Sequence, residues 1–120
     1  MLEYPLPILV QSGNDFALNK FNVECDDNKL GSDVVYINVC SKYTDMQAMA
    51  SRTLLFNPTK LQKEAYELAF DAEQHLMDKL VPGTTLDNVY RSTLEFIKAK
   101  SPVLASKVHV NFGFGIGSKY

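Results

Sequence analysis

Three side chains set the question of what chemistry this chain can support. Asn38 lies inside the apolar run Asp33-Val34-Val35-Tyr36-Ile37-Asn38-Val39, Met49 follows eleven residues later just before Ser51-Arg52-Thr53-Leu54, and Phe114 sits within Gly113-Phe114-Gly115-Ile116-Gly117. Hydrolysis at a divalent metal centre needs anionic oxygen or imidazole nitrogen to hold the ion while the ion acidifies a bound water. An amide offers only a neutral carbonyl oxygen, a thioether a soft and weak acceptor, and a phenyl ring nothing that binds a cation. Taken alone, Asn38 reads as a strand residue satisfied by a neighbour, Met49 as an adaptable core filler and Phe114 as an aromatic packed between glycines.

Other chemistries find less support. His75 sits among Asp71, Glu73 and Asp78, where exposure is expected, and neither it nor His109 has the closely spaced Cys or His partners of a zinc site. Nothing local activates Ser12, Ser51, Cys25 or Cys40 as a nucleophile. The glycine run lacks the Lys-Ser or Lys-Thr that would complete a phosphate-cradling loop.

The elements that must position these residues are legible from pattern. Leu6 to Gln11, interrupted by Pro7, and then Phe16 to Val23 read as strands, with Ser12-Gly13-Asn14-Asp15 as a turn and Asp26 to Asp33 as a polar loop. Val34–Lys42 and Gln47–Phe56 predict an antiparallel hairpin, with Val35, Ile37 and Val39 on one face and Tyr36, Asn38 and Cys40 on the other. Asn57-Pro58 reads as a helix cap followed by proline at the first helical position. That helix is expected to run to about Leu80 on a stripe of Leu61, Ala65, Leu68, Ala72, Leu76 and Leu80. After Val81-Pro82-Gly83, Thr84 and Asp87 resemble a capping box for a second helix through about Lys100, with Leu86, Val89, Tyr90, Thr93, Phe96 and Ile97 inward. Ser101-Pro102 caps a short helical turn, and Val108 to Phe112 reads as extended. Glu64, Glu67, Asp71, Lys60 and Lys63 read as a solvated helix face.

A length of 120 residues, with 46% hydrophobic and 22% charged side chains, fits one folded domain covering 1–120. The net charge of −2 gives no electrostatic case for direct DNA binding, which needs clustered Lys and Arg against phosphates. No stretch reaches the roughly eighteen apolar residues of a membrane span, and two cysteines without a signal-like start read as reduced thiols.

The frames around Asn38, Met49 and Phe114 resemble the pita-bread family of aminopeptidase P, creatinase and methionine aminopeptidase. In that family the first strand carries an I-D-[AV]-like Asp, the second a D-x-[TS]-[RK]-T-like Asp eleven residues on, and a later G-H-G-[IL]-G-like segment a His. The resemblance therefore implies that Asn38, Met49 and Phe114 are degenerate ligand positions. An ungapped match from Ser12-Gly13 puts Lys20, or Asn19 if the loop differs by one residue, where the peptidases carry a catalytic His. Within the family the chain is similar to the peptidase-like module of the large subunits of FACT-type histone chaperones, on Pro7-Ile8, Gln11-Ser12-Gly13, Asp26-Asp27-Asn28-Lys29-Leu30, Ser51-Arg52-Thr53-Leu54-Leu55 and Asn111 to Gly117.

This resemblance implies an α+β fold, the first half of a pita-bread module, in which an antiparallel β-sheet is covered on one face by two main helices and the second half is absent. It also implies a catalytically inactive nuclear module with no cofactor that binds histones or other chromatin proteins, any contact with the other FACT subunit lying in domains not present here. Lys20, Asn38, Met49 and Phe114 would line its peptide-binding cleft. Two other classes are weighed. A divergent metallopeptidase would have Asp33, Asp45 and Glu24 as its nearest carboxylates, none at the right phase or spacing. An RNA-binding relative is disfavoured by the mild acidity.

Overall fold

In the computed structural model of the chain, residues 1–13, 27–31, 33–109 and 112–116 are described. By contacts the chain divides into two compact units, Met1–Pro58 with Gly115–Tyr120, and Thr59–Phe114.

The first unit is built on a hairpin. Its β-branched and aromatic content favours a pleated backbone, and of its two ten-residue strands, Val34–Tyr43 becomes β3 and Met46–Leu55 becomes β4. They pair antiparallel along their whole length, from Val34 opposite Leu55 to Tyr43 opposite Met46. The connection is Thr44-Asp45, where Thr44 adopts φ 52°, a left-handed conformation unusual for a β-branched residue. Since β4 occupies one edge of β3, the two amino-terminal strands share the other. Leu2–Glu3 (β1) meets Tyr43 and Lys42, while Leu9–Ser12 (β2) pairs from Asn38 to Val35. The proline-interrupted segment yields a strand only from Leu9 onwards, clear of Pro7, because a ladder position needs its N–H. The expected strand from Phe16 to Val23 lies outside the described residues.

Gly13, at φ 76°, turns the chain after β2, and Gly31 N–H donates to Ser12 Oγ at 2.8 Å. A Cβ on Gly31 would lie 2.9 Å from the Gly13 backbone nitrogen, so this approach has no room for a side chain. At the far end of the hairpin, Phe56 N–H donates to Asp33 O at 2.8 Å, and Asn57 then leaves the strand at φ 49°.

That turn corrects the helix start. Asn57 is in the left-handed region and cannot act as the cap; Thr59 does, accepting from Gln62 N–H while Gln62 Oε1 accepts from Thr59 N–H, a complete capping box. The helix α1 runs Lys60–Lys79. Gly83, at φ 91°, lies in the turn to α2, Leu86–Lys100, whose cap is Thr85 with Asn88, one residue later than Thr84 with Asp87. Ser101 caps the short α3, Pro102–Ala105, with proline at its first position, as the sequence indicates. Of the segment expected to be extended, Val108 to Phe112, residues 108, 109 and 112 are described and none of them lies in a strand.

The core of this second unit is Ala72, Ile97 and Ala105, with Leu68, Phe96, Val108 and Phe112 packed against it. Small alanines on α1 and α3 let the larger side chains of α2 interdigitate. The apolar stripes extend beyond the packed stretch, so Leu61, Leu80 and Leu86 are exposed although their periodicity points them inward. His75 is half-buried instead of solvent-facing, because its ring stacks on Phe96 with centroids 4.6 Å apart and its Nε2 lies 3.0 Å from Ser92 Oγ.

Candidate binding site

Residues directly opposite in an antiparallel pair project to the same face of the sheet. The register therefore puts Asn38 and Ser51 in one row with Leu9, Tyr36 and Thr53 in the next with Gln11, and Cys40 and Met49 in a third. Asn38 and Met49 are thus diagonal neighbours on one face, brought together by a hairpin whose turn fixes the pairing. Asn38 is 6% exposed and Cys40 1% exposed; Met49 is half-buried.

A hydrogen-bond chain crosses this face. Tyr36 Oη donates to Ser51 Oγ at 3.2 Å, and Ser51 Oγ donates to Asn38 Oδ1 at 2.7 Å. The carbonyl oxygen of Asn38 is already engaged by a hydroxyl. The Ser51 proton in turn is directed at a neutral amide, which is no general base, so among the described residues nothing on this face prepares Ser51 to attack a carbonyl. In the adjoining row Gln11 is 5% exposed, and among the described residues its Oε1 has no hydrogen-bond partner. The arrangement can hold polar groups of a bound chain. The carboxylate that β1 brings to this face, Glu3, stands opposite Lys42, two rows from Asn38, and among the described residues the rows of Tyr36, Asn38 and Cys40 carry no carboxylate or imidazole.

Of the other positions singled out, Lys20 lies outside the described residues, and Phe114 is in the second unit, about half exposed. Among the described residues no three His, Cys, Asp or Glu side chains gather closely enough to hold a metal ion, and no helix is long and apolar enough to cross a membrane. Tyr36, Ser51 and Gln11 were not anticipated as members of this constellation. The signal was available, because a two-residue turn at Thr44-Asp45 places Asn38 opposite Ser51.

Over all its residues, 1–120, the chain matches the model of metallopeptidase family M24. It belongs to that family. Among curated relatives, the FACT complex subunit SPT16 of Candida albicans is 27% identical over 120 residues, covering 99% of this chain and 11% of the relative. The FACT complex subunit SPT16 of Arabidopsis thaliana is 30% identical over 117 residues, covering 95% and 11%. The chain thus spans about a ninth of the length of these proteins. The solved N-terminal domain of FACT complex subunit SPT16 from chickpea superposes with a TM-score of 0.92 at 26% identity, covering 98% of this chain and 28% of that one. A prolidase from Pyrococcus furiosus gives 0.79 at 24% identity, covering 93% and 33%, a likeness of fold. The α+β, pita-bread class expected from the sequence and the similarity to the FACT subunit are both shown, and the two curated relatives named here are FACT complex subunits.

Proposed function

We propose that this M24 chain is a catalytically inactive peptidase-like module that binds histones or other chromatin proteins in the nucleus, as part of a FACT-type histone chaperone. One observation carries the inactive half of the reading: Asn38 and Met49 share a sheet face on which Asn38 Oδ1 accepts from Ser51 and, among the described residues, no carboxylate stands in its own or the adjoining rows. Clustered carboxylates repel one another unless an ion neutralises them, so replacing them with an amide and a thioether relieves the fold while removing the means of activating water. The binding half is supported by the similarity to FACT subunits and by what remains on that face, namely polar rows and a methionine able to repack against varied partners. Asn38 and Met49 are the proposed lining residues described by the structure; Lys20 and Phe114 stay in the set on the resemblance alone.

The test uses the whole chain with purified core histones in an anisotropy titration, and with proline-containing and methionine-starting peptides plus manganese, cobalt or zinc in a hydrolysis assay. Saturable histone binding without metal-dependent turnover is expected. Turnover, or stoichiometric binding of an ion that Asn38→Ala abolishes, would show an enzyme of divergent ligation; absence of histone binding would remove the chaperone assignment.

A further inference from the structure

The second unit carries a groove of about 410 Å³ outside the sheet face discussed above. Its apolar floor is Leu61 and Leu68 of α1 with Val103 and Leu104 of α3. Leu61 and Val103 are 66% and 69% exposed, far more than a packed aliphatic side chain. The rim is acidic, with Glu64, Glu67 and Asp71 following the same side of α1, and one cation, Lys100, at the end of α2. That ammonium is committed: it lies 2.8 Å from Asp71 Oδ2 and 4.7 Å from the Phe96 ring centre. Glu64 has only the highly exposed Lys60 at 3.8 Å, and among the described residues Glu67 forms no ion pair. The groove therefore presents aliphatic side chains beside a wall of net negative charge, three carboxylates to one ammonium in its lining, with Glu67 in no ion pair and Glu64 in a long one to an exposed lysine.

The geometry points to a docking site for a basic peptide segment with an aliphatic anchor, a leucine-sized side chain entering between Leu61 and Val103 and flanking Lys or Arg reaching Glu64 and Glu67. The volume is within the roughly 300–1,000 Å³ typical of ligand sites and suits one or two side chains. Charge selects the occupant. Phosphate-bearing partners meet repulsion from the rim, and a second copy docking face to face would set the same carboxylates against each other. Apolar area supplies affinity, while the rim supplies selection and a salt-dependent association rate. The inference deepens the protein-binding reading above and rests on it, adding a second surface on the helices and the chemistry of what binds there.

The test uses the full chain and a fluorescein-labelled synthetic peptide with a central leucine flanked by lysines and arginines. Substituting Glu64→Gln with Glu67→Gln is expected to weaken binding by about three- to tenfold at low salt, with the difference shrinking as salt rises. Val103→Asp, and separately a peptide with serine in place of leucine, are each expected to weaken it by about tenfold or more. All three positions are exposed, and unchanged circular dichroism would show that the helices persist. Peptide binding indifferent to both protein variants overturns the site, as does the absence of binding; self-association abolished by Val103→Asp without peptide binding assigns the groove to a second copy. If the probe binds equally well after these substitutions while core histones still bind the chain, the groove fails and the histone reading stands; if the probe binds through Val103 while histones do not bind, the histone reading fails.

Discussion

On the proposed reading, Asn38 shows how little has to change for a catalytic frame to become a contact surface. A carboxylate and an amide have nearly the same shape, yet the amide is neutral and, at 6% exposure, can be satisfied by one hydroxyl where a carboxylate would call for a cation. The Tyr36–Ser51–Asn38 chain then becomes a stabilising feature of the hairpin. Removing its middle member by Ser51→Ala leaves the buried Asn38 oxygen without its donor and is expected to cost about 1–3 kcal/mol, read from the urea midpoint. Tyr36→Phe, which removes only the exposed outer donor, should cost under about 1 kcal/mol in the same assay. Equal effects of the two would mean that the Ser51–Asn38 bond contributes little.

At the scale of elements, the capping box of Thr59 and Gln62 governs where the helical unit begins. Thr59→Ala is expected to lower stability by about 0.5–2 kcal/mol. Asn57→Gly, at a position with φ 49°, should be neutral or slightly stabilising, since glycine adopts that conformation without strain. Thermal unfolding of the two variants checks the pair, and a larger loss from Asn57→Gly would return the cap to Asn57. Both residues are good caps by type, and only the backbone at the end of β4 decides between them. This is why the sequence put the helix start two residues early. The hairpin was legible almost to the residue, because alternation and a two-residue turn leave one register. His75 was misread from its charged neighbours on α1, since its partners Ser92 and Phe96 arrive from α2 and no local pattern announces them. Leu61, too, keeps the core period while facing a groove. Periodicity tells which side of a helix is apolar but not how far a neighbouring helix covers it.

For the whole molecule, a formal charge of −2 and an acidic helix face argue that any role on chromatin runs through protein contacts. A labelled duplex is expected to show no saturable binding even at about 50 mM salt, where phosphate contacts are strongest. Tight binding there that collapses at about 200 mM would instead mark a nucleic-acid binder. The family frame and the sheet-face geometry were both foreshadowed by residues around positions 38 and 49, whereas the groove, which brings α1 residues near 64 against a short helix near 103, depends on tertiary packing that no spacing reveals.

The thiol of Cys40, 1% exposed at the middle of the hairpin's inner strand, makes this chain its own reporter of breathing. An alkylating reagent can reach that sulfur only when β3 separates from its neighbours. The rate at which the Cys40 peptide gains mass would therefore time the opening of the sheet and distinguish a partner that clamps the strands from one that merely rests on the helices.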